Sequence, residues 1–222
     1  MKDEITKEKM ESNWIALNEE VTKIANESGR KTPKIIAVSK TRSIEEIQTA
    51  YDIGIRDFGE NYAKEFETKA KAIPNVNWHF IGHLQRGNAK KITPYCNLLH
   101  TLDSIKLAHR LSNLSYQGEL LIQIKLASEI SKSGIFGEFK LIQELVEESK
   151  KLGLKVKGLM GVGGLNWTKD HTLTEYKKLF DLKEELGLRE LSLGMSNDYK
   201  ISILSGSTMI RIGTMIFGSR SY

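Results

Sequence analysis

The strongest constraint on this chain is an alternation that repeats along its length. Short, unbroken apolar runs are each followed by a charged amphipathic stretch. The clearest run is Lys34-Ile-Ile-Ala-Val-Ser39. It is too short for a stable helix and apolar at successive positions, so it reads as a strand covered on both faces. Ser43 follows, with Glu46 three residues on. That is a capping box, and it opens a helix that stops at Gly54. The same unit recurs, with strands expected at 56–59, 77–82, 98–102, 119–126, 155–162, 190–193 and 209–212. The intervening helices are expected at 62–73, 88–95, 104–114, 139–152, 173–186 and 199–204, with a terminal turn at 214–217. A charged helix over 5–28, closed by Gly29, precedes the first strand. Strict alternation implies parallel strands joined by crossover helices. Eight such strands close more naturally into a barrel than into an open doubly wound sheet, which remains the alternative. The expected fold is α/β, a single-domain (β/α)8 TIM-type barrel with an extra N-terminal helix.

The chain has 222 residues, three prolines and no linker-like or repeated segment, so one domain over 1–222 is expected. A hydrophobic content of 40% suffices for a core without staples. Cys96, the sole cysteine, reads as a small buried hydrophobe and excludes an intramolecular disulfide. No apolar run is long enough for a bilayer, and the charged N-terminus lacks the apolar stretch of a secretory signal. The expected location is the cytoplasm, with no membrane partner. The net charge of +5 is spread over mixed Glu/Lys helices such as 144–151 and 177–185, which read as solvated faces. The basic run 86–91 lacks an aromatic platform, so no nucleic-acid partner is expected. His79 and His83 are four apart on a strand and its end, where that spacing does not pair metal ligands. The run Gly158–Gly164 reads as a flexible βα loop.

In such a barrel the chemistry sits where strands end. Lys40 follows the first strand, Asn61 the second, Ser196 the seventh, and Arg211, Gly213 and Thr214 close the eighth. An amine, a guanidinium, hydroxyls and glycines together suit a phosphorylated aldehyde. A partly desolvated Lys40 would have a nucleophilic amine; the bland alternative is a solvated strand-end lysine. Ser196, Gly213 and Thr214 would form a phosphate cup, since glycine lets backbone N–H groups approach an anion. Alternation puts Arg211 on the same side as Gly213, toward the mouth. Its alternative role is an ion pair with Glu60 or Asp198. Asn61 could donate to a ligand hydroxyl or simply cap the helix near Tyr62.

Six blocks carry a resemblance. They are Ala37-Val-Ser-Lys40, Phe58-Gly-Glu-Asn-Tyr62, Trp78-His-Phe-Ile-Gly82, Ser128-Glu-x-x-Lys132-x-Gly134, Leu193-Gly-Met-Ser-x-Asp198 and Arg211-Ile-Gly-x-x-Ile-Phe-Gly218. In this order they resemble the pyridoxal phosphate homeostasis protein family, single-domain relatives of the alanine racemase barrel. The resemblance runs from about Lys34 to Gly218. It implies that pyridoxal 5′-phosphate (PLP) is held as a Schiff base on Lys40. Ser196, Gly213 and Thr214 would take the phosphate, Arg211 would face the pyridine nitrogen, and Met195 and Asn61 would line the cofactor. One departure stands after the third strand, where the family's Leu-Gln-x-Asn-Lys is Leu84-Gln-Arg-Gly-Asn88. The implied function is intracellular PLP homeostasis without robust catalysis, by a monomer whose partners are PLP and PLP-dependent apo-enzymes. The alternatives are a PLP-dependent racemase or related enzyme, which would need a second domain this chain has no room for, and a nucleic-acid or protein-binding module.

Overall fold

In a computed structural model of the chain, residues 5–126, 134–136, 139–164 and 166–219 are described. The N-terminal helix α1 (Lys7–Glu27) leads into β1 (Lys34–Val38), α2 (Ile44–Asp52), β2 (Asp57–Glu60), α3 (Ala63–Ala72) and β3 (Asn77–Phe80). A 3-10 turn (Arg86–Asn88) and one helical turn, α4 (Ala89–Ile92), precede β4 (Leu98–Leu102), α5 (Ile105–Asn113) and β5 (Glu119–Lys125). Then come β6 (Ile135–Phe136), α6 (Phe139–Lys151), β7 (Lys155–Gly161), α7 (Lys169–Glu185) and β8 (Glu190–Ser192). The chain ends with α8 (Tyr199–Leu204), β9 (Met209–Ile212) and α9 (Thr214–Phe217).

The strands run in the order β4-β3-β2-β1-β9-β8-β7-β5, and a β4–β5 pairing closes the ring. The pairings within it are parallel. This is the closed eight-stranded barrel, not the open sheet. The two-residue β6 was not foreseen. It pairs with Ile124 and Lys125 at the far end of β5, past the last β4 partner, Ile122. Two residues are too few to show any period.

The pleat sorts side chains into two cores. Ile36, Leu98, Leu121, Met160 and Met209 point inward and fill the lumen. Residues of the opposite parity, among them Ala37, Phe58, Trp78, Leu120, Leu159 and Ile210, point outward and pack under the helices. Helix α1 buries the stripe Met10, Leu17, Val21 and Ala25, and it lies against α8 and α9.

Helix α7 begins at Lys169, earlier than expected, because the Thr168 side chain accepts from the His171 backbone N–H and caps it there. The run Gly158–Gly164 needs correcting. Its first four residues belong to β7, not to a loop. Gly158 is required by close strand approach: a Cβ there would stand 1.8 Å from the Glu190 carbonyl oxygen. The segment Ser128–Lys132 of the fourth block lies outside the described residues. Among the described residues no helix is long and apolar enough to cross a membrane.

Candidate functional site

At the C-terminal mouth of the barrel is a cavity of about 400 Å³. Lys40, Asn61, Met195, Ser196, Arg211, Gly213 and Thr214 all line it, although they come from four separate strand ends. Val38, Ile81 and Val162 supply apolar wall. These three were missed, yet each extends the inward parity of its strand by one step.

Lys40 sits two residues past β1, one step beyond Ser39. The pleat turns Ser39 outward, and there it is anchored. Its hydroxyl donates to Glu60 Oε1 at 2.7 Å, and its carbonyl accepts from Lys69 Nζ at 2.7 Å. Lys69 also reaches Glu60 Oε1 at 2.8 Å and Glu65 Oε1 at 2.6 Å. Burial pushes the Glu60 carboxyl above its ordinary pKa, against the pull of Lys69. So a buried cluster on the outer face fixes the backbone that carries Lys40 on the inner face. Beyond it, Arg42 donates to the Gly218 carbonyl at 2.6 Å and ties this turn to the end of α9.

Arg211 is 4% exposed. Its Nη1 donates to the Ser192 carbonyl at 2.9 Å and the Ser192 hydroxyl at 2.6 Å, and its Nη2 to the Gly161 carbonyl at 2.9 Å. The ion pair considered with Glu60 or Asp198 is not formed. Glu60 is engaged on the outer face by Lys69, and Asp198 is engaged in its own loop. The guanidinium is thus buried against neutral oxygens, and burial lowers its pKa. A guanidinium has five N–H donors. Three are used in these contacts, so two remain for the cavity it lines.

Asp198 shapes the loop after β8. Its Oδ1 accepts from the Met195 N–H at 2.6 Å and its Oδ2 from the Tyr176 hydroxyl at 2.5 Å. This holds Met195, Ser196 and Asn197 at the rim. Asp198 and Tyr176 were not singled out as site supports, and the back-reaching Asp198 bond to Met195, three residues earlier, is not one that a local turn pattern announces. Asn61 does not cap α3, whose N-cap is Tyr62 without a side-chain bond. Instead Asn61 Oδ1 is buried with no hydrogen-bond partner. Gly213 is the N-cap of α9. A Cβ on it would meet the Val38 carbonyl oxygen at 3.1 Å, so bare backbone forms that wall. Cys96 is buried, and burial pushes its thiol up to about 12.

Among the described residues that line the cavity there are three cations, Lys40, Arg42 and Arg211, and no carboxylate. Hydroxyls of Ser196 and Thr214 stand with the backbone at Gly213. The arrangement suits an anion that also carries a group reactive toward an amine.

The family model for the alanine racemase N-terminal domain matches residues 13–221. The pyridoxal phosphate homeostasis protein of Synechocystis sp. is 38% identical over 200 residues, which cover 84% of this chain and 91% of that protein. The chain belongs to the pyridoxal phosphate homeostasis protein family. The homeostasis protein of Vibrio alginolyticus is 36% identical over 211 residues, covering 86% and 90% of the two chains. Among solved structures, PipY of Synechococcus elongatus with PLP bound is 28% identical, with a TM-score of 0.82, over 94% of this chain and all of that one.

Proposed function

We propose that this chain binds PLP as a Schiff base on Lys40 and serves PLP homeostasis inside the cell without robust catalysis of its own. The observation that carries the reading is the cavity with an amine on one wall, a hydroxyl and glycine cup on the other, a buried guanidinium and, among the described lining residues, no carboxylate. The residues fit the cofactor. The buried, unpartnered Asn61 Oδ1 and the two remaining N–H groups of Arg211 call for polar partners from a ligand. PLP, when bound, supplies an aldehyde that condenses with an amine and a ring that can withdraw electrons.

Lys40 provides the amine. The Ser196 and Thr214 hydroxyls and the backbone at Gly213 and Thr214 hold the phosphate. Arg211 turns its remaining N–H groups to the ring nitrogen. A guanidinium does not give up its proton, so that nitrogen stays unprotonated and electron withdrawal is weak. Asn61 meets the ring hydroxyl, and Met195 covers the rim. Moving protons on both faces of a bound amino acid needs two bases. Lys40 is the one group of suitable chemistry among the described residues lining the cavity. The lack of a second such group favours a carrier over a racemase, while a guanidinium at the ring nitrogen is compatible with either.

The test is an absorbance titration of the purified protein with PLP, beside a panel of amino acids. The expected result is saturable uptake by the wild type, none of the same spectral form in Lys40→Ala, and no sustained turnover. Steady turnover that is lost in Lys40→Ala would favour the enzyme instead.

A further inference from the structure

The barrel lumen contains a file of polar side chains that PLP binding alone does not explain. At the N-terminal mouth, Lys34 Nζ lies 3.2 Å from Asp57 Oδ1, and Asp57 Oδ1 lies 2.9 Å from His79 Nε2. His79 Nδ1 is 3.1 Å from His100 Nε2, and His100 Nδ1 is 3.0 Å from the Ser192 hydroxyl. That hydroxyl is 2.6 Å from Arg211 Nη1. Strands β1, β2, β3, β4, β8 and β9 each contribute one inward residue. His79, at 2%, and His100 and Ser192, both at 0%, are closed to solvent. The lower end opens on a second cavity of about 510 Å³, whose wall includes Lys34, Asp57, His79 and Glu119. The upper end is the guanidinium that lines the first cavity.

The chemistry of the two ends fixes the direction of every proton between them. Arg211 only donates. The Ser192 hydroxyl accepts from it, and His100 Nδ1 is its remaining partner, so Ser192 donates there. His100 then carries its proton on Nε2 and donates to His79 Nδ1. His79 carries its own on Nε2 and donates to Asp57. Each hydrogen bond is made once, with both imidazoles neutral, between an anion below and a cation above. The other charged groups facing the file are Lys34 and Glu119 at its foot, and Asp198 with Tyr176 beyond Arg211. Burial holds both imidazoles below their ordinary pKa, in keeping with neutral rings. A proton added to His79 would reverse the order. His79 would donate both ways, His100 would shift its proton to Nδ1, and the Ser192 hydroxyl would lose its acceptor.

We propose that Asp57, His79, His100 and Ser192 are positioning residues that act through Arg211, a one-way hydrogen-bond relay by which the N-terminal mouth of the barrel tunes the charge felt by the ligand ring in the other mouth. The ligand part rests on the PLP reading above; the proton order does not.

The test has two arms. Nitrogen-15 NMR of the PLP-free protein near neutral pH reads the tautomers directly. Both His79 and His100 are expected as Nε2–H, and an Nδ1–H form of either ring overturns the relay. In the PLP-loaded protein, Asp57→Asn removes the anionic end while keeping its shape. Arg211 is then less compensated and a proton on the bound ligand less favoured. The pH midpoint of the PLP absorbance change should fall, by on the order of half a pH unit. In a His100→Leu background, where only the through-space field of Asp57 remains, Asp57→Asn should shift the midpoint less, and an equal shift overturns the relay. Ser192→Ala cuts the file next to Arg211 and serves if Asp57→Asn does not fold, as judged by circular dichroism. An unchanged midpoint in the folded variants overturns the coupling. Failure of the wild type to take up PLP sinks the cofactor reading and the coupling with it, while the tautomers still decide the proton order.

Discussion

Lys69 stands outside the cavity yet determines the strand end that lines it. Its ammonium, nearly closed to solvent, satisfies Glu60, Glu65 and the Ser39 carbonyl together. Lys69→Met would leave Glu60 as an uncompensated buried carboxylate, at a cost of about 3 kcal/mol. The Glu60 pKa is raised by burial, so the unfavourable charged form appears as pH rises through the folded value and is absent below the unfolded one. Urea unfolding should therefore show a larger loss in Lys69→Met at about pH 8 than at about pH 5. Arg211→Ala belongs at this scale too. It should alter the absorbance of bound PLP while circular dichroism stays the same, and an unaltered spectrum would remove Arg211 from the site. Lys40 and Arg211 were legible in the sequence because each is a cation at the end of an apolar strand. Lys69 was not, because nothing local in a helix names the strand it will cross.

At the scale of elements, the strands and helices followed from periodicity and caps, and β4, Leu98–Leu102, has the expected bounds. What periodicity does not carry is which strands face one another. His79 and His100 alternate correctly for inward positions, but their meeting requires the β3–β4 pairing and ring closure. Glycine runs are ambiguous for a similar reason: a loop and a close strand contact both favour the missing side chain. Gly158→Ala should separate β7 from β8, because the obstructing atom is backbone, and should cost more than about 3 kcal/mol in urea unfolding. By contrast, Ser43→Ala removes one half of an intact capping box on α2 and should cost about 1 kcal/mol without changing PLP uptake.

For the molecule as a whole, the relay ties stability to pH. His79 and His100 have lowered pKa values in the fold, so below the ordinary histidine pKa of about 6.5 the unfolded chain binds protons that the native one refuses. Stability is complete above that pH and falls as pH drops below it. Asp57, also lowered, acts in the same sense further into acid. Thermal midpoints measured across this range should decline below about pH 6.5, and His100→Leu should flatten the decline. The eight-stranded barrel, with a cavity at its C-terminal mouth, was legible from the alternation of the chain. The polar file through its centre was not.

The central claim is that a single amine at the end of β1 holds the cofactor. Borohydride reduction of the PLP-treated protein, followed by peptide mass spectrometry, tests it most directly. The account predicts one modified peptide, carrying the reduced adduct on Lys40 and absent from Lys40→Ala. An adduct on another lysine, or none, would contradict it.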